Sequence, residues 1–372
     1  MGGFGMTITF LTSSRADYGI YLPLLKKIKA DSFFSLKIIA FGTHLSKKHG
    51  ETIQQIYADG FDVAYKIDTL LDGDTPLIIA QSMAKTMAQF AEIWEKEKDT
   101  TDLIFCLGDR FEMFAAVSAS VPFNIPIAHL HGGETTLGAI DEVFRHSLTS
   151  MSKLHFASTE KHKKRVEQIL GHSKLVFNVG ALSIDNLNDL QLYSKDAFKE
   201  KFGIELNNPI LVTFHPETKS YEKNEFYIDQ LLLALMDIEQ QLIFTMPNAD
   251  TSGNIIREKI NLFVKKKSNA YVVESFGTQG YFSCIAHCSF VLGNSSSGII
   301  EAASFGKYVI NLGARQQGRD VGANVFHCEI DSQKIKDAII SVKKAPVLSK
   351  KNIYGDGKAS DIIIERLKTC IL

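Results

Sequence analysis

Short apolar runs rich in β-branched and aromatic residues recur along the whole chain, each separated from the next by a longer amphipathic stretch. The first series comprises Thr7–Leu11, Leu36–Phe41, Asp102–Leu107, Ile125–Leu130, Leu154–Ala157 and Leu175–Val179. The second comprises Ile210–Phe214, Gln241–Thr245, Ala270–Val273, Ser289–Leu292, Tyr308–Leu312 and Val325–Cys328. These runs are apolar at nearly every position, not at every other one, so they predict strands covered on both faces. Strand-helix-strand order throughout predicts parallel sheets joined by right-handed crossovers. With 372 residues the chain is long enough for two hydrophobic cores. The two series part at Gly180–Asn188, where a strand runs into a polar, Asn-rich connection. The expected fold is therefore α/β, with two Rossmann-like doubly wound domains at 1–182 and 183–356. The tail, 357–372, reads as an amphipathic helix that either domain would accept, packing back on the N-terminal one included.

Charge excludes some partners. The 41 basic and 42 acidic residues leave a formal charge of −1, which offers no field for nucleic acid or an anionic membrane. The basic runs at 163–165 and 265–267 lie in polar helical stretches and read as solvated faces. The longest apolar run, Leu231–Met236, is far short of the ~20 residues a spanning helix needs. The start, Met1–Met6, lacks the basic and apolar regions of a signal peptide, so the cytoplasm is the expected compartment. Five cysteines without a CxxC pair read as buried free thiols.

Ligands of parallel sheets bind outside the carboxyl ends of the strands, so the residues following each run carry the functional information. In the second half the turn Gly293-Asn-Ser-Ser-Ser-Gly298 combines small residues with three hydroxyls, ahead of a helix expected over Ile299–Phe305. One N-cap needs one serine. Three, flanked by glycine, suit a diphosphate cradle in which Ser295 and Ser296 donate to phosphate oxygens. Arg315 at the next strand end and Arg15 after the first strand would add bidentate charge. Glu301 reads equally as a partner for the helix dipole and as a grip on two ribose hydroxyls.

Carboxylates concentrate in the first half. Asp109, Glu134 and Asp141 follow or nearly follow strand ends, in loops containing glycine. Singly, Asp109 reads as well as an ion-pair partner of Arg110, and Asp141 as a helix N-terminal acid. Together they suit proton abstraction and delivery, since a desolvated pair separates into an acid and a base. His129 and His131 alternate on a strand and would project to one side, but no third ligand accompanies them and HExxH is absent, so no metal is expected. His131 and His215 read as donors near the ligand. Asp72-Gly73-Asp74 has the form of a metal-binding DxD but reads as a turn. There is no GxGxxG after the first strand and no GxxxxGK[ST], which disfavours nicotinamide, flavin and P-loop chemistry.

At these residues the sequence resembles the hydrolysing UDP-N-acetylglucosamine 2-epimerases of sialic acid biosynthesis, whose relatives act on UDP-2,4-diacetamido sugars of the legionaminic acid pathway. The resemblance rests on Ser14-Arg-Ala-Asp-Tyr-Gly19, Leu107-Gly-Asp-Arg-Phe-Glu112, His129-Leu-His-Gly-Gly-Glu134, Gly138-Ala-Ile-Asp141, Arg145-His146, His215-Pro216, Gly293–Gly298, Glu301 and Arg315-Gln-Gln-Gly-Arg319, in family order. It implies two domains facing a central cleft, as in B-type glycosyltransferases. UDP contacts are implied at Arg15, Arg110, His215, Asn248, Ser295, Ser296, Glu301 and Arg315, and acid–base roles at Asp109, Glu134 and Asp141. It implies a homodimer or larger assembly and no cofactor.

The chemistry follows from the substrate. The C2–H of an amino sugar has no adjacent carbonyl, so its removal must accompany departure of UDP. A carboxylate, Glu134 by preference, takes the proton and leaves a 2-acetamidoglucal. Water then adds to C1, and Asp109 or Asp141 protonates C2 from the opposite face. UDP-N-acetylglucosamine stands first as substrate and a UDP-2,4-diacetamido-2,4,6-trideoxyhexose second. A B-type glycosyltransferase is the rival of different class, and it would need an acceptor.

Overall fold

The computed structural model describes residues 5–47, 50–73, 75–135, 141–217, 221–246 and 253–370. Contacts divide the chain into two compact units, one built on Met1–Glu134, Ile140–Asn186 and Gly357–Leu372, the other on Thr135–Ala139 and Leu187–Asp356.

The first unit holds a parallel sheet of β1 (Met6–Thr12), β2 (Phe34–Phe41), β3 (Tyr65–Ile67), β4 (Leu103–Leu107), β5 (Ile127–Leu130), β6 (Leu154–Ala157) and β7 (Val176–Asn178), in the order β3-β2-β1-β4-β5-β6-β7. Alternate residues feed two cores. Leu103 and Phe105 of β4 face one, Ile104 and Cys106 the other, which is why the run is apolar throughout. Of these strands only β3 is given no bounds by the sequence, which shows no more than a weak strand ahead of Asp72. Its Tyr-Lys-Ile stretch lies at the sheet edge, where Lys66 is exposed, and so lacks an apolar run.

The second unit repeats the plan with β8 (Ile210–Thr213), β9 (Leu242–Thr245), β10 (Ala270–Val273), β11 (Phe290–Gly293), β12 (Val309–Leu312) and β13 (Val325–Cys328), in the order β10-β9-β8-β11-β12-β13. Both orders reverse direction once, between β1 and β4 and between β8 and β11. Open α/β sheets place their ligands at such a reversal.

The helix Ala359–Thr369 belongs to the first unit, where Ala359, Ile363 and Leu367 join the core that also receives Tyr21, Leu24 and Ile28 of the helix Arg15–Ala30. Its N-cap, Lys358, supplies no side-chain cap. The buried Asp185 does so from outside, accepting the N–H groups of Ala359 at 3.0 Å and Ser360 at 2.6 Å. Asp185→Ala orphans two donors at a buried helix start, so the expected loss is about 2 kcal/mol. Thermal melts check this. An unchanged melting temperature would show that the cap contributes nothing.

Among the described residues no helix is long and apolar enough to cross a membrane. All five thiols are free; Cys106, Cys284 and Cys288 are buried, whereas Cys328 and Cys370 are partly exposed, which corrects the expectation of five buried ones.

Candidate active site

In the first unit the turn after β1 is set by Asp17. Its buried carboxylate accepts from Thr12 Oγ1 (2.5 Å), Ser13 N (2.8 Å), Ser13 Oγ (2.8 Å) and Ser14 N (3.1 Å). With Ser14 it forms a capping box on the helix Arg15–Ala30. Arg15 is thereby presented, exposed, at the first helical position.

Next to β1, the end of β4 carries Asp109 and Arg110. They do not pair with each other. Arg110 makes a two-point contact with Glu112, Nε to Oε2 at 3.2 Å and NH2 to Oε1 at 3.0 Å. Asp109 instead pairs with NH2 of Arg145, a residue 2% exposed on the helix Asp141–Met151. NH1 of the same guanidinium donates to the Glu134 carbonyl at 2.7 Å. Asp141 lies one turn before Arg145 on that helix and therefore on the same side. Arg145 thus ion-pairs with Asp109, bonds the Glu134 main chain and lies one helical turn from Asp141, while the Glu134 carboxylate itself turns to Ser158 and His131.

The Glu134 side chain is buried. Its Oε1 accepts from Ser158 Oγ at 2.8 Å and faces His131 Nδ1 at 3.1 Å. Gly133 makes this possible: φ is +79°, and a Cβ there would lie 2.2 Å from the His162 carbonyl oxygen. His131 lies beyond the end of β5, with φ of +65°, so it does not continue the strand alternation with His129. His129 serves another end. The Gly108 carbonyl can only accept, so Nε2 carries the proton and donates to it at 2.9 Å, leaving Nδ1 to accept from Thr149 Oγ1 at 3.2 Å. Burial lowers His129 to about 4 and keeps it neutral. Among the described residues no group of three or more His, Cys, Asp or Glu is arranged to hold a metal, and Asp74 of the DxD lies outside them.

In the second unit the fully buried Asn294 joins the loops after β8, β11 and β12. Its Oδ1 accepts His215 N at 2.7 Å and its Nδ2 donates to His215 O at 2.8 Å. Its carbonyl accepts from Arg315 NH1 at 3.1 Å and Gln316 Nε2 at 3.0 Å. Gly293 lets the strands approach, since a Cβ there would lie 1.9 Å from the Thr213 carbonyl oxygen. His215, 8% exposed, is held neutral by burial and by the Arg315 charge, which lower it to about 3, and its Nδ1 has no partner among the described residues.

The helix after β11 starts at Ser296, not Ile299, and runs only to Ile300; a 3-10 turn, Ala302–Phe305, follows. Glu301 is buried at the joint between them and not in a first helical turn. Ser295 is the N-cap, yet its hydroxyl makes no capping bond. Glu217 holds the loop after β12, accepting Ala314 N at 3.0 Å. Asn248 lies outside the described residues.

A family model described as UDP-N-acetylglucosamine 2-epimerase matches residues 26–368. The chain belongs to the UDP-N-acetylglucosamine 2-epimerase family. The Legionella pneumophila protein named UDP-N,N'-diacetylbacillosamine 2-epimerase (hydrolyzing) is 33% identical over 363 residues, covering 97% of this chain and 95% of its own length. The Campylobacter jejuni GDP/UDP-N,N'-diacetylbacillosamine 2-epimerase (hydrolyzing) is 36% identical over 327 residues, covering 87% and 84%. The crystal structure of UDP-GlcNAc 2-epimerase from Neisseria meningitidis, bound to UDP-GlcNAc, matches with a TM-score of 0.83 at 18% identity, over 98% of this chain and 100% of that one. The fold is thus two parallel-sheet α/β units of the B-type glycosyltransferase kind.

Within this epimerase-family chain, sequence reasoning assigned no role to Arg145, Ser158 or Asn294. Arg145 left a trace, because it shares a helical face with Leu148 and Thr149, both buried. An arginine on the apolar side of an amphipathic helix must find a partner inside.

Proposed function

We propose that this protein is a hydrolysing 2-epimerase that converts a UDP-linked 2-acetamido sugar into UDP and the free sugar inverted at C2, with UDP-N,N'-diacetylbacillosamine preferred over UDP-N-acetylglucosamine. The observation that carries the reading is the buried Arg145, which pairs with Asp109, bonds the Glu134 main chain and lies one helical turn from Asp141. A glycosyltransferase needs an acceptor, and one carboxylate base suffices for it. The preference between sugars departs from the order reached on sequence, and its support is the naming of the relatives at 33% and 36% identity.

In this scheme His215, Asn248, Ser295, Ser296, Glu301 and Arg315 of the second unit hold UDP, with Arg15 and Arg110 adding positive charge. Hydrogen-bond donors stabilise the diphosphate as its bond to C1 breaks, which favours the transition state over bound substrate. Glu134 removes the C2 proton as UDP leaves with the C1–O electron pair, and the double bond forms between C1 and C2. Water adds its hydroxyl to C1, and Asp109 or Asp141 delivers a proton to C2 on the other face. One water is consumed overall: its hydroxyl goes to C1, its remaining proton restores the acid that protonated C2, and the proton taken by Glu134 returns to solvent.

The test is incubation with each UDP-sugar in deuterated water, without acceptor, followed by NMR. UDP and the manno-configured sugar are expected, with one deuterium at C2 and kcat/KM about 10-fold or more higher for the diacetamido substrate. UDP release without deuterium at C2 would rule out elimination and hydration, and no release from either sugar would overturn the assignment. Equal kcat/KM values would remove the preference alone.

A further inference from the structure

The three serines of the turn after β11 are not equivalent. Ser295 Oγ lies 2.9 Å from Ser297 Oγ, and Ser297 Oγ lies 2.8 Å from the hydroxyl of Tyr281, on the helix Gly277–His287. An N-cap serine ordinarily turns its oxygen onto the N–H groups of the first turn. Ser295 does not, because its hydroxyl is engaged sideways in this chain.

Each hydroxyl donates once but can accept twice, so committing the proton at one end of the row fixes its sense. Burial raises Tyr281 to about 12, despite the Ser297 and Thr213 hydroxyls beside it, so its phenol keeps the proton. Thr213 is itself bonded to Thr245 at 2.7 Å. An anion in front of Ser295 accepts and cannot donate, which requires the Ser295 proton to point outward. Ser295 oxygen then receives from Ser297, and Ser297 from Tyr281. Successive hydrogen bonds of one sense polarise one another, so the outermost donor is strengthened by those behind it.

We propose that Tyr281 is a positioning residue for the diphosphate of the nucleotide, acting through Ser297 to orient the Ser295 hydroxyl toward a phosphate oxygen. This rests on the reading that the second unit holds UDP. It concerns the phosphates alone, because the chain ends at Ser295 and nowhere near a base is invoked.

Calorimetric titration of UDP and of uridine into wild type, Tyr281→Phe, Ser297→Ala and the double variant tests it. Phenylalanine keeps the ring and its contact with Phe282, so thermal melts should stay close to wild type. Tyr281→Phe is expected to weaken UDP about 10-fold while leaving uridine within about twofold, since hydrogen bonds to charged groups are the strong ones. Ser297→Ala is expected to do the same. The double variant should be no weaker than the weaker single one, because both break one chain. Unchanged UDP binding in Tyr281→Phe, equal losses for UDP and uridine, or additive losses in the double variant would each overturn the role of Tyr281. Failure of wild type to bind UDP would instead bring down the nucleotide reading, and the relay with it.

Discussion

Glu134→Gln is expected to lower kcat by about 100-fold or more, the scale of general acid–base catalysis, while UDP affinity stays within about twofold of wild type. The substitution keeps the volume of the side chain and one oxygen that accepts from Ser158 Oγ, now at 2.8 Å from Glu134 Oε1, so the buried pocket need not rearrange. What it removes is the ability to take a proton from carbon. The main-chain carbonyl that binds Arg145 is untouched, and Asp109 keeps its ion pair. A 100-fold loss corresponds to about 2.7 kcal/mol of transition-state stabilisation. Glu134→Asp draws the carboxylate back by one methylene and should fall between the two, since near-attack geometry is sensitive to ångström displacements. Steady-state kinetics with calorimetric UDP binding checks the set. Wild-type turnover in Glu134→Gln would remove Glu134 as the base, and a parallel collapse of UDP affinity and melting temperature would mean that its role is structural.

The strands were legible because burial on both faces leaves no polar alternation, a pattern that survives without knowledge of partners. Leu154–Ala157, Ala270–Val273 and Val325–Cys328 appear with the expected bounds. β3 was not legible, for the complementary reason: three residues at an edge bury too little to mark the sequence. The helix after β11 was placed three residues late because hydroxyl residues serve caps, turns and ligand loops alike. Only the geometry distinguishes a serine that caps from one that bonds to its neighbour.

The site divides along the same line. Residues near strand ends can be found from sequence, since the strand locates them; Asp109, His215, Ser295 and Arg315 all lie within three residues of a strand end. Side chains that organise those residues cannot, since they reach across elements distant in the chain. Arg145 joins positions 36 and 11 residues away, and Asn294 bonds His215 from 79 residues away. The apparent Asp109–Arg110 pair shows how adjacency misleads: the two diverge, one to Arg145 and the other to Glu112.

Buried histidines give the molecule an expected acid lability well above the range in which carboxylates titrate. In the first unit His155 on β6 is 1% exposed, neither ring nitrogen has a partner among the described residues, and burial lowers it to about 3. His129, opposite it on β5, is lowered to about 4, and burial lowers His44 in the same direction against the pull of Asp17. The folded values lie below the ordinary 6.5, so between these limits the unfolded chain binds more protons than the folded one. Stability is then complete above about pH 6.5 and falls as pH drops toward the folded values. Each proton is worth about 1.4 kcal/mol per pH unit, so His129 and His155 together give a slope of about 2.7 kcal/mol per unit. Going from pH 7.5 to 5 should remove about 3–4 kcal/mol, a large part of an ordinary domain's stability. Trp94, the single tryptophan, is buried in the core of the first unit and so reports the loss of that core. Denaturant titrations followed by its fluorescence should show this loss, and His155→Leu should reduce the slope by one proton while costing at most about 1 kcal/mol at pH 7.5, because the imidazole has only a weak contact with the Ser152 main chain to lose. Stability that stays level from pH 7.5 to 5, or a slope unaltered in His155→Leu, would mean that these rings are not held neutral by the fold.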